Sequence, residues 1–144
     1  MPMNANLHKQ KVMKEVQLRH LVSSMNNTKW IALLDAIYDE LPFCPPFQIK
    51  TVLEQGPYPE TFEEEEVTYL GDWLSLQPGL YNVEWVRVKP RMIKPIGRYV
   101  EPEVLDIEAE WVALLQRLRI PYIVKHHDYW IYGYATAAEF DQLV

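Results

Sequence analysis

The stretch WIALLDAIYDELPF, residues 30–43, decides the first main element of the fold and has a near repeat in WVALLQRLRIPY, residues 111–122. In both, an aliphatic residue, Ala, Leu and Leu follow the Trp, and apolar residues recur at the spacing of an amphipathic helix. Both then reach a Pro followed by an aromatic residue, which ends the helical pattern. The predicted buried faces are Trp30, Leu33, Leu34, Ile37 and Leu41 in the first helix, and Ile107, Trp111, Leu114, Leu115 and Leu118 in the second.

The likeness between the two stretches allows an internal duplication of a helix-plus-hairpin unit, because strand-like sequence follows each helix. The alternative is that amphipathic helices reuse Trp, Leu and Ala for packing alone, since nothing outside these windows matches. A duplication would explain the architecture and not the chemistry.

The amino-acid composition limits the classes of protein to which this chain can belong. The chain has 144 residues, of which 49% are apolar, enough for one hydrophobic core. Its net charge of −6 disfavours general attraction to nucleic acid or an anionic membrane. No apolar run is long enough to span a bilayer or to act as a secretory signal, so we expect no membrane partner and a cytoplasmic location. A single cysteine, Cys44, excludes an internal disulfide.

Residues 1–25 differ from the rest of the chain. They carry the basic residues Lys9, Lys11, Lys14 and Arg19 against one acidic residue, Glu15. They end at Met25, directly before NNTKW. They are predicted to be either a basic extension with no role in the fold or an amphipathic helix with an apolar face at Leu18, Leu21, Val22 and Met25.

Residues 26–144 are predicted to form one α+β domain with a largely antiparallel sheet. Period-two patterns indicate strands at residues 47–53, 67–76 and 81–93, and a hairpin around HHD at residues 126–128. Asn27 or Thr28 can cap the first main helix, and Pro102 between two glutamates is predicted to open the second. Thr136 and Glu139 have capping-box spacing, which predicts a short terminal helix.

The most suggestive catalytic or metal-binding group is His126, His127 and Asp128, since imidazole and carboxylate together can transfer protons or bind a metal. Neighbouring residues at a hairpin tip point apart, and no HExxH or CxxC motif supplies further ligands. An exposed polar turn is therefore the favoured interpretation, and we expect no metal, no cofactor and no catalytic residues.

A cationic stripe is a second candidate site. Trp85, Arg87, Lys89 and Arg91 would share one face of a continuous strand, as in platforms that bind single-stranded nucleic acid. However, Pro90 interrupts the strand, and pairing of these cations with Glu84, Glu101, Glu103 or carboxylates of the second helix is the favoured alternative.

The chain resembles a family of small, uncharacterised bacterial proteins that begin near NNTKW, residues 26–30. The resemblance rests on this motif, the following helix, FQIK at residues 47–50 and VEWVRVKP at residues 83–90, and it covers about residues 25–134. It implies a bacterial cytoplasmic protein and carries no catalytic residues. In size and acidity the chain is also similar in type, but not in motif, to immunity proteins of bacterial toxin systems.

Our leading functional hypothesis is a non-enzymatic binding module that docks a basic protein through an acidic surface. Alternatives are a small enzyme or ligand-binding protein with a pocket at the aromatic C-terminal hairpin, and nucleic-acid binding through the stripe. The residues predicted to contact a partner are Glu63, Glu64, Glu65, Glu66, Asp72, Trp130, Tyr132 and Tyr134.

Overall fold

The two Trp-Leu-Leu stretches form helices that pack against an antiparallel sheet in an α+β fold. A computed structural model of the chain describes residues 5–63, 67–94 and 97–144. The helices in this part are α1 (Ala5–Leu18), α2 (Asn27–Glu40), α3 (Glu108–Arg117) and α4 (Ala137–Gln142). The strands are β1 (Val22–Ser23), β2 (Phe47–Thr51), β3 (Val83–Val88), β4 (Arg91–Lys94), β5 (Glu103–Asp106), β6 (Ile123–Lys125), β7 (Asp128–Tyr132) and β8 (Tyr134–Ala135).

The central sheet contains four antiparallel strands in the order β2-β3-β7-β6, and β1-β8 and β4-β5 are separate two-stranded pairs. In the central pair, Val86 lies opposite Ile131 and Arg87 opposite Trp130. Val86 and Ile131 are fully buried with the apolar faces of α2 and α3 in one hydrophobic cluster. Burial of this shared apolar surface is the main stabilising contribution that joins the helices to the sheet.

The predicted helix faces are confirmed. Trp30, Leu33, Leu34 and Ile37 are buried on α2, and Trp111, Leu114 and Leu115 are buried on α3, while Leu41 and Leu118 are partly buried against the same cluster. The N-cap of α2 is Asn26 rather than Asn27 or Thr28, and its side chain accepts a hydrogen bond from the Lys29 N–H. The capping box of α4, from Thr136 and Glu139, is present as predicted.

Two predicted strands differ from the structure. Residues 67–76 form no strand; Trp73–Leu76 is a 3-10 helix, because the Trp73 ring turns inward and its Nε1 donates to Pro45 O over 2.8 Å. The predicted strand at residues 81–93 divides at Pro90, which lacks the N–H that a continuous ladder needs. Its second half, β4, pairs with β5 instead.

The prediction that Pro102 opens a helix is wrong. Pro102 precedes β5, and α3 begins at Glu108, six residues later. Residue Val104 of β5 lies opposite Ile93 of β4, so pairing with β4 is the tertiary contact that holds this segment extended. Glu108 and Glu110 occupy the first turn of α3, where carboxylates stabilise the positive end of the helix dipole.

The basic N-terminal region is a helix whose buried residues differ from the predicted ones. Val12 and Val16 of α1 pack with Val52 and Tyr134. Of the predicted apolar face, Met25 is buried in the main cluster and Leu21 is partly buried beside Val12 and Val16, whereas Leu18 and Val22 are exposed. Arg19, just beyond the helix, makes two 2.9 Å hydrogen bonds to the buried Glu84 carboxylate. None of the helices in the described residues combines the length and apolarity that a membrane span requires.

The strand order is the one that two helix-plus-strand units would give. Each of α2 and α3 leads through a short connection into an edge strand, β2 or β6, and the chain then returns through a central strand, β3 or β7. The units differ in their connections, since two residues join β6 to β7 whereas 31 residues lie between β2 and β3. That long connection, residues 52–82, contributes most of the candidate site.

Candidate functional site

A cleft of about 470 Å³ lies beside the edge strand β2, and we call it the β2 cleft. One wall comes from β2 itself and the other from the long connection between β2 and β3. The residues that line it are Phe47, Ile49, Tyr58, Pro59, Tyr69, Leu70, Gly71, Asp72 and Ser75. Among the residues that the structure describes, neither lysine nor arginine lines the cleft.

Tyr58 forms one side of the β2 cleft, and backbone hydrogen bonds to β2 fix its position. The Ile49 N–H donates to Tyr58 O and the Tyr58 N–H donates to Ile49 O, both over 2.8 Å. Gln48 Nε2 donates to Pro59 O over 2.9 Å, which fixes the next residue as well. The Tyr58 side chain is nevertheless 78% exposed. A fixed backbone with an exposed ring loses little conformational entropy when it binds.

Gly71 lets the opposite wall approach β2 closely. A Cβ at this position would lie 2.1 Å from Pro45 O and 3.0 Å from Phe47 Cδ1. The Gly71 N–H donates to Cys44 O over 3.1 Å, so this wall is tied to the residues that lead into β2. The β2 cleft is therefore bounded on both sides by hydrogen-bonded backbone.

Charge is distributed unevenly around the β2 cleft. Residues 51–83, which we call the acidic segment, contain seven carboxylates and no lysine or arginine. Glu60, Glu63 and Asp72 are exposed, whereas the predicted partner-binding residues Glu64, Glu65 and Glu66 lie outside the described residues. Asp72 precedes the 3-10 helix, but its carboxylate does not cap that helix.

The predicted aromatic contacts of the C-terminal hairpin are located mainly inside the protein. Tyr132 and Tyr134 are each 8% exposed, and the Tyr134 hydroxyl donates to Tyr81 O over 2.7 Å. Burial raises the pKa values of both tyrosines. Trp130 is partly buried between Arg87 and Lys125, whose cationic groups lie 5.1 and 6.0 Å from its ring centroid. Little tyrosine surface on this hairpin is available to a partner.

The cationic stripe surrounds a buried carboxylate. Asp128, 2% exposed, accepts hydrogen bonds over 2.8 Å from Arg87 Nε and from Lys89 Nζ, and Arg91 donates to its other oxygen. Burial alone would raise the pKa of Asp128, but the hydrogen bonds from Lys89, Arg87 and Arg91 outweigh it and lower the pKa. The cations thus converge on Asp128, which was not among the partners predicted for them. Trp85 and Trp130 both pack against the small cluster formed by Ile123, Tyr132 and Ala135.

His126 and His127 form the two-residue turn between β6 and β7, and both have positive φ, of 53° and 66°, as a type I′ turn requires. His127 Nδ1 lies 3.1 Å from the Glu108 carboxylate, while the Asp128 side chain belongs to the buried cation cluster. The three residues of the HHD group therefore do not meet at one point. A cavity that Tyr134 lines is bounded by α1 and the start of α2 and not by the HHD group.

Residues 12–138 match the sequence profile of the family of unknown function DUF6678. The chain belongs to this family. The DUF6678 match begins within α1 and includes the β2 cleft, the acidic segment and the Asp128 cluster. No curated protein and no solved structure matches this DUF6678 chain.

Sequence reasoning missed the aromatic residues of the β2 cleft. The sequence pattern predicts a strand at Phe47 and a loop at Tyr58, and Asp72 is the lining residue that it indicates as a partner contact. The available signal was the long absence of lysine and arginine after Lys50, combined with a tyrosine between two prolines in GPYPE, residues 56–60. Asp72 is the predicted partner-binding residue that the structure places in the β2 cleft.

Proposed function

We propose that this chain is a non-enzymatic binding module that docks a basic partner protein through the β2 cleft and the acidic segment. The observation that carries the proposal is an apolar, aromatic cleft built on a segment with seven carboxylates and no basic residue. A basic toxin masked by an immunity-type protein is one partner that fits this chemistry.

The anchoring contribution comes from side chains that are exposed in the free protein. Tyr58, Tyr69 and Leu70 are 78%, 43% and 56% exposed and line one cleft. Tyrosine is enriched among the few residues that supply most of the binding free energy at protein interfaces. Covering these side chains also removes apolar surface from water, which favours association.

The electrostatic contribution acts mainly on the rate of encounter. Seven carboxylates within 33 residues, with no cation among them, produce a negative potential that attracts a basic surface. Such long-range steering increases the association rate and is screened by salt. The proposal therefore predicts partner binding that weakens as ionic strength increases.

The nucleic-acid alternative has less support from the geometry. Three of its four residues, Arg87, Lys89 and Arg91, hydrogen-bond to Asp128, and Lys89 is 4% exposed. A phosphate backbone would have to compete with this carboxylate for the same donors. The Asp72 carboxylate of the β2 cleft, by contrast, is exposed and does not cap the adjacent 3-10 helix.

The proposal is tested by identifying partners in the native host with the wild-type chain as bait and then measuring affinities with the purified partner. The Tyr58→Ala/Tyr69→Ala double variant should weaken binding by about 30-fold or more, which corresponds to a loss of about 2 kcal/mol. Tyr99→Ala is the matched control, because Tyr99 is 93% exposed but does not line the cleft. Equal affinities for wild type and the double variant would exclude the β2 cleft as the docking site.

A further inference from the structure

We propose that the β2 cleft receives an arginine side chain of the basic partner. This inference rests on the proposed docking function and adds the chemical group that enters the cleft. It is carried by the combination of aromatic rings and the Asp72 carboxylate in a cavity whose described lining residues include no cationic side chain.

The aromatic rings provide the first element of a cation site. Phe47, Tyr58 and Tyr69 all line the cleft. The face of an aromatic ring carries negative potential, and a guanidinium or ammonium group placed over it is stabilised. Three such rings around one cavity favour a cation over a neutral polar group of equal size.

The carboxylate provides the second element. Asp72 lies in the same lining as the rings, is exposed, and is not used to cap the adjacent 3-10 helix. An ionised carboxylate accepts two parallel N–H donors from guanidinium, a geometry that ammonium cannot reproduce. Guanidinium is also planar and stacks on aromatic rings, so the combination favours arginine over lysine.

The protein contains an internal example of the same arrangement. Arg87 lies over the rings of Phe62 and Trp130, with its central carbon 5.5 and 5.1 Å from their centroids. The same guanidinium donates to the Asp128 carboxylate over 2.8 Å. Aromatic rings and a carboxylate thus surround a resident arginine at that site, whereas the described lining of the β2 cleft has the rings and the carboxylate but no arginine.

Rigid walls strengthen the inference. The hydrogen bonds between Ile49 and Tyr58 hold one wall, and the bond from Gly71 to Cys44 holds the other. A preformed cavity loses less conformational freedom when a side chain enters, which leaves more of the interaction energy for binding.

The test uses the full chain and three tripeptides with blocked ends: Gly-Arg-Gly, Gly-Lys-Gly and Gly-citrulline-Gly. Citrulline retains the shape of arginine but carries no charge. Amide NMR spectra recorded during titration report affinity and location, with Gly71 and Ser75 as probes inside the cleft. We expect the arginine peptide to shift these probes saturably, the lysine peptide to bind about two- to fivefold more weakly and the citrulline peptide about tenfold more weakly.

Variants separate the two elements of the site. Tyr58→Phe should retain binding of the arginine peptide, whereas Tyr58→Leu should weaken it about two- to fivefold, since only the latter removes the ring. Asp72→Asn should reduce the preference for arginine over citrulline. Glu110→Gln, at an exposed position on α3, is the charge-matched control and should leave affinity unchanged.

The inference is overturned if the citrulline peptide binds as tightly as the arginine peptide, if the shifts map outside the cleft, or if the arginine peptide gives no saturable shift. Its failure is distinguishable from failure of the docking proposal. Partner binding that depends on Tyr58 and Tyr69 without arginine-peptide binding would retain the docking site and reject arginine as its occupant.

Discussion

The Asp128 carboxylate lies 2.8 Å from the Lys89 ammonium, and the two side chains are only 3% and 5% exposed. Asp128 belongs to β7, while Lys89 directly follows β3, the neighbouring strand. A buried charge without a partner is strongly unfavourable, so each group depends on the other for its place in the interior. This ion pair links the end of β3 to the start of β7, the two central strands of the four-stranded sheet.

Asp128→Asn should destabilise the protein by about 3 kcal/mol or more, because it leaves buried cations without their carboxylate. The pKa of Asp128 is lowered in the folded state, so its stabilising contribution is present above the unfolded pKa of about 3.9 and is lost as pH falls through the folded value. The difference between wild type and variant should therefore be constant near neutral pH and shrink below about pH 4.

Denaturant unfolding at several pH values measures this difference. Asp35→Asn, at an exposed position on α2, is the control and should change stability little at any pH. A difference of the same size at pH 3 and pH 7 would contradict the assigned ion pairs.

Leu34→Ala and Leu115→Ala test the two helix faces. Both leucines are at most 1% exposed in the main hydrophobic cluster, so each substitution should cost about 2 to 5 kcal/mol through lost burial and the cavity that remains. Ile31→Ala, on the exposed side of α2, is a suitable comparison. Losses well under about 1 kcal/mol at both leucines would be inconsistent with the observed packing.

Deleting residues 1–24 distinguishes the two sequence interpretations of the N-terminal region. We expect the free energy of unfolding to fall by at least about 2 kcal/mol, since the deletion removes buried Val12 and Val16, and a buried valine contributes about 1.5 to 3 kcal/mol. Val12→Ala/Val16→Ala should reproduce part of the loss, and Leu7→Ala, at a half-exposed position, should not. An unchanged melting temperature after the deletion would favour an extension with no role in the fold.

Replacing Glu63, Glu64, Glu65 and Glu66 with Gln tests the acidic segment separately from the aromatic residues. Stability should stay unchanged or rise slightly, because like charges in a run repel one another. Association with a basic partner should become slower and less dependent on salt, since such charges act mainly through the rate of encounter. The measurement is the association rate at low and high salt.

Its control replaces Glu101, Glu103 and Glu110 with Gln, since these exposed carboxylates lie outside the acidic segment. Identical rates and salt dependence for all the proteins would remove the glutamate run from the docking surface. The Tyr58 and Tyr69 variants would then decide the role of the cleft independently.

Local sequence patterns determined the helix faces, the terminal capping box and the break at Pro90. The spacing of Trp30, Leu33, Leu34 and Ile37 specifies a buried stripe wherever the helix packs, and proline removes a backbone donor in any context. The same local patterns predicted a largely antiparallel sheet in an α+β domain. The start of α3 did not, because residues 103–106 become a strand only by pairing with β4.

The candidate site depended on contacts between residues far apart in the chain. Pairing of β3 with β7 brings Arg87 and Lys89 to Asp128, about 40 residues later, and so gives these cations a buried carboxylate partner that the sequence did not indicate. Pairing of Ile49 with Tyr58 and the close approach of Gly71 to Pro45 create the β2 cleft. The sequence by itself thus determined which segments are helical, where the pattern breaks and how acidic residues 51–83 are. Only the tertiary structure decided which charges are buried and which aromatic rings meet, because burial and contact depend on which segments pair.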